Sequence, residues 1–245
     1  MISSVLLGEV IWEFAARRST EFSPAFHNGK IYVNDSTDVY CLEAETGNLI
    51  WETDLEKANF SAVSLDGERI FVGISGGVTC LDMETGEVVW HFDCGERTYT
   101  TPAVAYRKIY FGTPRGILYC LDAESGNQVW RIDTRKASPQ SEANISSGII
   151  VADNKVAFGT GDGILYIADA ESGAVCESVD LGDMSIISMA LAEGRLMVGL
   201  WDGTVICFEE SPFWKIVPLA VVSGVILSFL VFFRYCRRVT LRSSQ

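Results

Sequence analysis

Apolar and polar residues alternate in short runs along most of this chain, and glycines punctuate the runs. Ser23–His27 (SPAFH), Lys30–Val33 (KIYV), Asp38–Leu42 (DVYCL) and Asn48–Glu52 (NLIWE) each carry the two-residue period of a half-buried strand. The same four-run unit returns as SAVSL, ERIFVG, GVTCLD and EVVWHF, and again as TPAVA, KIYFG, ILYCLD and QVWRI. β-Branched and aromatic residues fill the runs, which favours strand over helix. Asn28-Gly29 and Asp66-Gly67 are tight-hairpin signals. The pattern predicts four short antiparallel strands per unit.

The units are copies of one another. Cys41–Trp51 (CLEAETGNLIW) recurs as Cys80–Trp90 (CLDMETGEVVW) and Cys120–Trp130 (CLDAESGNQVW), with a worn copy at Ile167–Glu177 (IADAESGAVCE). Gly8, Gly47, Gly86 and Gly126 fall 39, 39 and 40 residues apart, and Gly173 follows after 47. A period near forty marks a repeat architecture. In the E-[TS]-G turns the glycine is expected at positive φ, with the acids Glu43, Asp82, Asp122 and Asp169 bonding to nearby backbone. The fourth unit is longer through Lys136–Ser147 (KASPQSEANISS), a polar surface loop, and has Glu177 where the others have tryptophan. The last unit stops after Val205–Glu210 (VICFEE), one strand short. Glu9–Phe14 (EVIWEF) reads as that missing strand, and pairing it with the last three would close a ring and hide two sheet edges. The expectation is an all-β fold over residues 1–211, a β-propeller of about five four-stranded blades.

The repeat x-L-[DE]-A-[ED]-[TS]-G-x-x-x-W resembles the tryptophan-docking repeat of the PQQ-like (quinoprotein-type) propellers, over about residues 8–210. The resemblance implies that Trp12, Trp51, Trp90 and Trp130 dock against a neighbouring blade, a structural role. It also implies seven or eight blades, against five here; one reading is that the sequence lacks an N-terminal piece, a signal segment and two or three blades, and the alternative is a genuine five-bladed, tail-anchored protein. Residues 1–7 (MISSVLL) do not have the layout of a signal peptide.

Beyond Ser211 the character changes. Ile216–Phe233 is eighteen residues without a charge, flanked by Phe213, Trp214 and Tyr235, which predicts a single transmembrane helix over 212–235. Arg234, Arg237, Arg238 and Arg242 follow it and Lys215 alone precedes it. The short basic tail, 236–245, is therefore expected in the cytoplasm and the propeller outside. On that side the sequons at Asn34, Asn59 and Asn144 become candidate glycosylation sites, with Asn144 favoured by its loop.

Charge and chemistry narrow the function. The chain carries a net −13; the five basic residues after Ser211 leave 14 basic against 32 acidic groups before it, a net of −18. Such a body repels phosphate backbones and argues against nucleic acid as a partner. Two histidines, His27 and His91, do not make a histidine-rich metal site. Cys41, Cys80, Cys120 and Cys207 share one register and read as small buried hydrophobes rather than disulfide partners. The resemblance would require, for a quinone-dependent dehydrogenase, a catalytic aspartate, a calcium site and commonly adjacent cysteines; no Cys-Cys pair occurs. The expected function is therefore a non-catalytic, membrane-anchored scaffold without a cofactor, presenting loops to a protein or glycan partner. Trp201, in the second-to-third-strand loop of the last unit, is the candidate anchor. A PQQ-dependent dehydrogenase-like enzyme, or a fragment of one, and a sensor ectodomain are the alternatives.

Overall fold

A computed structural model describes residues 9–58, 61–136, 143–145 and 147–209. Gly8, Asn59, the predicted span 212–235 and the tail 236–245 lie outside these residues. No helix among the described residues is long and apolar enough to cross a membrane.

Among the described residues, eighteen strands form five antiparallel sheets in chain order. Blade 1 is β1 (Ala25–His27), β2 (Lys30–Asn34), β3 (Asp38–Glu43) and β4 (Leu49–Asp54). Blade 2 has three strands, β5 (Ser64–Asp66), β6 (Arg69–Asp82) and β7 (Val88–Arg97), because the expected second and third strands run on as one. The Gly76-Gly77 pair, with a register shift at that point, bends it. Blade 3 is β8 (Ala103–Ala105), β9 (Lys108–Gly112), β10 (Ile117–Asp122) and β11 (Gln128–Asp133). Blade 4 is β12 (Ile150–Ala152), β13 (Lys155–Gly159), β14 (Ile164–Asp169) and β15 (Val175–Asp180). Blade 5 is β16 (Ile186–Ala192), β17 (Arg195–Leu200) and β18 (Val205–Glu209).

Turn chemistry explains the hairpins. Asn28-Gly29, Asp153-Asn154 and Glu193-Gly194 have positive φ at both central residues, the geometry that matches strand twist. Tyr106-Arg107 adopts the same conformation with no turn residue to announce it. Alternating side chains of each third strand face opposite neighbours. Val78 and Cys80 of blade 2 pack against Ile109, Phe111 and Tyr119 of blade 3, while Leu118 and Cys120 of blade 3 pack against Val156, Phe158 and Tyr166 of blade 4. The core thus lies between blades. Glycine keeps the blades close where second strands end: a Cβ on Gly112 would lie 2.3 Å from Ile145 Cγ2, and one on Gly159 2.3 Å from Ile186 Cγ2.

Two expectations are corrected. Glu9–Phe14 forms no strand, and β18 pairs with β17 alone among the described residues, so the ring closure read from the sequence is not formed. The segment has instead been drawn onto blade 1, where Trp12 and Phe14 bind to that blade's own groups. The long loop is also not wholly a surface feature. Thr134–Lys136 makes one 3-10 turn, and Ala143, Ile145 and Ser147 are buried against blades 3 and 4.

Candidate functional site

The repeat motif builds one clasp, used four times. Trp51, Trp90 and Trp130 lie on the last strand of a blade and reach the third-to-fourth-strand turn of the next. Their indole N–H groups donate to the carbonyls of Met83 (3.2 Å), Ala123 (3.2 Å) and Ala170 (3.2 Å). Trp12 does the same to Ala44 (3.0 Å). Beneath each ring sits the turn glycine, Gly47, Gly86, Gly126 or Gly173, at φ between +71° and +74°; a Cβ there would come within 2.5–2.6 Å of the indole. Glycine is needed twice over, for its left-handed conformation and for the ring above it. Blade 4 has Glu177 at the tryptophan position, and the sequence after β18 has no glycine at the matching place. Ring and glycine are lost together.

The repeated carboxylates are occupied by their own turns. Asp82 Oδ1 accepts from the amides of Glu84 and Thr85 (both 3.0 Å), Asp122 Oδ1 from the Ser125 amide and hydroxyl (2.8 and 2.7 Å), and Asp169 Oδ1 from those of Ser172 (2.9 and 2.8 Å). These bonds hold all three carboxyls below the usual range, led by the Thr85 amide for Asp82, the Ser125 hydroxyl for Asp122 and the Ser172 amide for Asp169. Asp35 is fully buried: burial raises its pKa, but donors at the Thr37, Asp38 and Arg18 amides and the Tyr40 hydroxyl outweigh it and lower it overall. The same burial pushes the Tyr40 hydroxyl up to about 12. This carboxylate ties Arg18 to blade 1, and the Tyr40 hydroxyl accepts from the Arg17 amide (3.2 Å).

A quinone with calcium would need a cradle of acid and amide oxygens. Among the described residues no three His, Cys, Asp or Glu side chains gather where they could hold a metal ion. The turn acids that repeat most regularly already accept from the backbone. Cys41, Cys80 and Cys120 are unpaired and buried, with burial holding the thiols of Cys80 and Cys120 up at about 12. Cys207, expected buried in the same register, is exposed, and no described blade packs on that face.

The two ends of the blades differ. The Gly29 carbonyl accepts from Ala44 and that of Arg107 from Ala123, so first-to-second and third-to-fourth turns share one end, rich in acids such as Glu45, Glu84, Glu124 and Glu171. Gly116 accepts from Thr134 and Gly163 from Leu181, which gathers the second-to-third turns and the loops between blades at the opposite end. There Trp201 is 75% exposed, filling no gap between blades; Tyr99 and Met184, on inter-blade loops, are exposed too. The sequence pattern singles out Trp201 and not Tyr99 or Met184, which carry no repeat signal.

The sequons separate. Asn34 is fully buried and donates from Nδ2 to the Ser61 carbonyl (2.9 Å), so it is removed as a glycosylation site: it takes the place held by glycine in the other blades and bridges to blade 2. Asn144 is half-buried, and its carbonyl accepts from the Gly161 amide. Asn59 lies outside the described residues.

Five consecutive four-stranded or near-four-stranded blades, clasped by a tryptophan–glycine pair, define a PQQ-like β-propeller repeat protein. The profile of the family described as outer membrane protein assembly factor BamB matches residues 4–73 and 60–208, and the chain belongs to that family. No curated protein sequence gives a significant match. Among solved structures, BamB from Moraxella catarrhalis superposes with a TM-score of 0.71 at 20% identity, over 82% of this chain and 64% of that one. Quinohemoprotein alcohol dehydrogenase ADHIIG from Pseudomonas putida HK5 gives 0.69 at 16%, over 81% and 41%, and the enzyme from Comamonas testosteroni 0.69 at 18%, over 78% and 41%. The chain thus spans less than two thirds of the length of each.

Proposed function

We propose that this protein is a non-catalytic scaffold that binds a protein partner through the loop end of its blades. The carrying observation is the contrast between the two ends: the repeated acids are consumed by turns, whereas Trp201, Tyr99 and Met184 stand exposed on loops. Exposed aromatics of this kind are the usual anchors of protein interfaces. Membership of a family named for an assembly factor supports a protein rather than a glycan as the partner. The uncharged run Ile216–Phe233 and the arginines beyond it support a single-pass anchor, the tail in the cytoplasm and the propeller on the other side.

The test is co-purification of the full chain from native membranes, wild type against Trp201→Ala. An anchor worth about 2 kcal/mol predicts about a thirty-fold loss of captured partner. Equal recovery from both would remove Trp201 from the interface. Saturable one-to-one binding of pyrroloquinoline quinone with calcium would replace the scaffold reading with a dehydrogenase-like one.

A further inference from the structure

Blade 2 departs from the other blades at one place. Where the third strands of blades 1, 3 and 4 carry Tyr40, Tyr119 and Tyr166, β6 carries Thr79, and His91 stands opposite it on β7. Gly76-Gly77, immediately before Val78, bends the strand. Lys57, from the linker between blades 1 and 2, lies over this spot. Its Nζ is 3.1 Å from His91 Nε2, 3.8 Å from Asp93 Oδ2 and 3.4 Å from where a Cβ on Gly76 would stand. At 3.8 Å Asp93 makes no hydrogen bond to the ammonium, so His91 is the group that fixes it.

These partners dictate the state of the ring. An ammonium can only donate, so Nε2 presents a lone pair and the single ring proton sits on Nδ1, facing the Thr79 hydroxyl (3.2 Å). His91 is exposed, so solvent protons reach it. A second proton, on Nε2, would point at the ammonium and turn the 3.1 Å contact into one between two positive charges. Burial, and after it the Lys57 charge, hold the His91 pKa below its ordinary value of 6.5, while Asp93 and the Val78 backbone pull the other way. The contact is therefore complete above the ordinary value and is lost as pH falls through the lowered one.

Lys57 also restrains strained backbone. Glu56 has φ +56°, a left-handed conformation that an L-residue adopts only at a cost. Ahead of it Leu55 is buried and its amide donates to the Thr37 carbonyl (3.0 Å); behind it the Ala58 carbonyl accepts from the Ser75 amide of β6 (2.7 Å). The other charged groups of this segment, Asp54 and Glu56, are exposed, and Asp54 Oδ1 accepts from the Glu56 amide (2.8 Å). We propose that Lys57 and His91 form a pH-operated latch: protonation of the ring expels Lys57, and Glu56–Ala58 then moves away from β6.

The test uses the full chain in detergent micelles, as wild type, Lys57→Met and His91→Gln, with histidine labelled for NMR. The His91 titration midpoint should rise in Lys57→Met. Linkage is reciprocal, so exchange at the Ser75 amide, corrected for its intrinsic pH dependence, should quicken as the wild type is acidified. The expected gain is about tenfold for each pH unit by which Lys57 lowers that midpoint. Glutamine offers Lys57 an oxygen that does not titrate, so His91→Gln should keep Ser75 exchange slow down to the same pH, whereas Lys57→Met should exchange fast throughout. A midpoint unmoved by Lys57→Met would overturn the proposal. So would wild-type Ser75 exchange that follows its intrinsic pH dependence alone, because the contact would then restrain nothing.

Discussion

Replacing Gly173 by alanine should damage the protein mainly through Trp130, and a double-mutant cycle can isolate that share. Gly173 sits at φ +71°, where an L-residue pays about 1–2 kcal/mol. Its new Cβ would also fall 2.6 Å from Trp130 Cδ2, and relieving such overpacking costs about 1–3 kcal/mol. Gly173→Ala is therefore expected to destabilise by about 2–5 kcal/mol. Trp130 is 9% exposed, bonds to the Ala170 carbonyl and lies 5.7 Å from the Tyr110 ring, so Trp130→Ala should cost about 3–5 kcal/mol. In the Trp130→Ala background the steric share of Gly173→Ala vanishes and only the backbone share remains. The double variant should thus be more stable than the sum of the singles by about 1–3 kcal/mol. Urea unfolding followed by far-ultraviolet circular dichroism, which does not depend on Trp130 emission, provides the measurement. Strict additivity would refute the clasp, because it would mean that the ring and the glycine do not meet.

Other substitutions probe separate features. Gly159→Ala, at an ordinary φ but with a Cβ 2.3 Å from Ile186 Cγ2, should cost about 1–3 kcal/mol and lower the melting temperature without changing secondary structure. Asp35→Ala strands the Thr37, Asp38 and Arg18 amides and the Tyr40 hydroxyl, so a loss of about 3 kcal/mol is expected, with faster hydrogen exchange at Arg18. Because Asp82 and Asp122 have folded pKa values depressed below their unfolded ones, their stabilisation is complete above the ordinary carboxylate range near pH 4 and is lost as pH falls through the folded values. Melting temperature should therefore fall on acidification below about pH 4, and less steeply in Asp122→Asn. Peptide mass spectrometry should find Asn34 unmodified in folded protein; a glycan there would contradict its burial.

The repeat made most of the fold legible. The recurrence of Gly47, Gly86, Gly126 and Gly173 with Trp12, Trp51, Trp90 and Trp130 marks both turn and clasp, since each glycine lies under one of the rings. What escaped the sequence depends on three-dimensional surroundings. Tyr106-Arg107 takes a hairpin conformation imposed by strands on either side, and β6 runs through a Gly-Gly pair that reads as a loop. Asn34 looks like a sequon because its neighbours are polar, but inter-blade packing buries it. Ring closure is not seen among the described residues for a related reason: strand character in EVIWEF marks fourth-strand sequence without saying that it pairs with any edge. Of the candidate site, Trp201 was legible as a tryptophan off the repeat register, whereas Tyr99 and Met184 acquire meaning only once the loops are gathered at one end.

Site-specific photo-crosslinking on native membranes tests the scaffold assignment most directly, with a photoreactive amino acid placed at Trp201 in one chain and at Glu45, on the acidic turn end, in another. A discrete protein adduct from position 201 and none of that size from position 45 is the predicted result. Adducts from 45 alone, or from neither position, would contradict a partner-binding loop end.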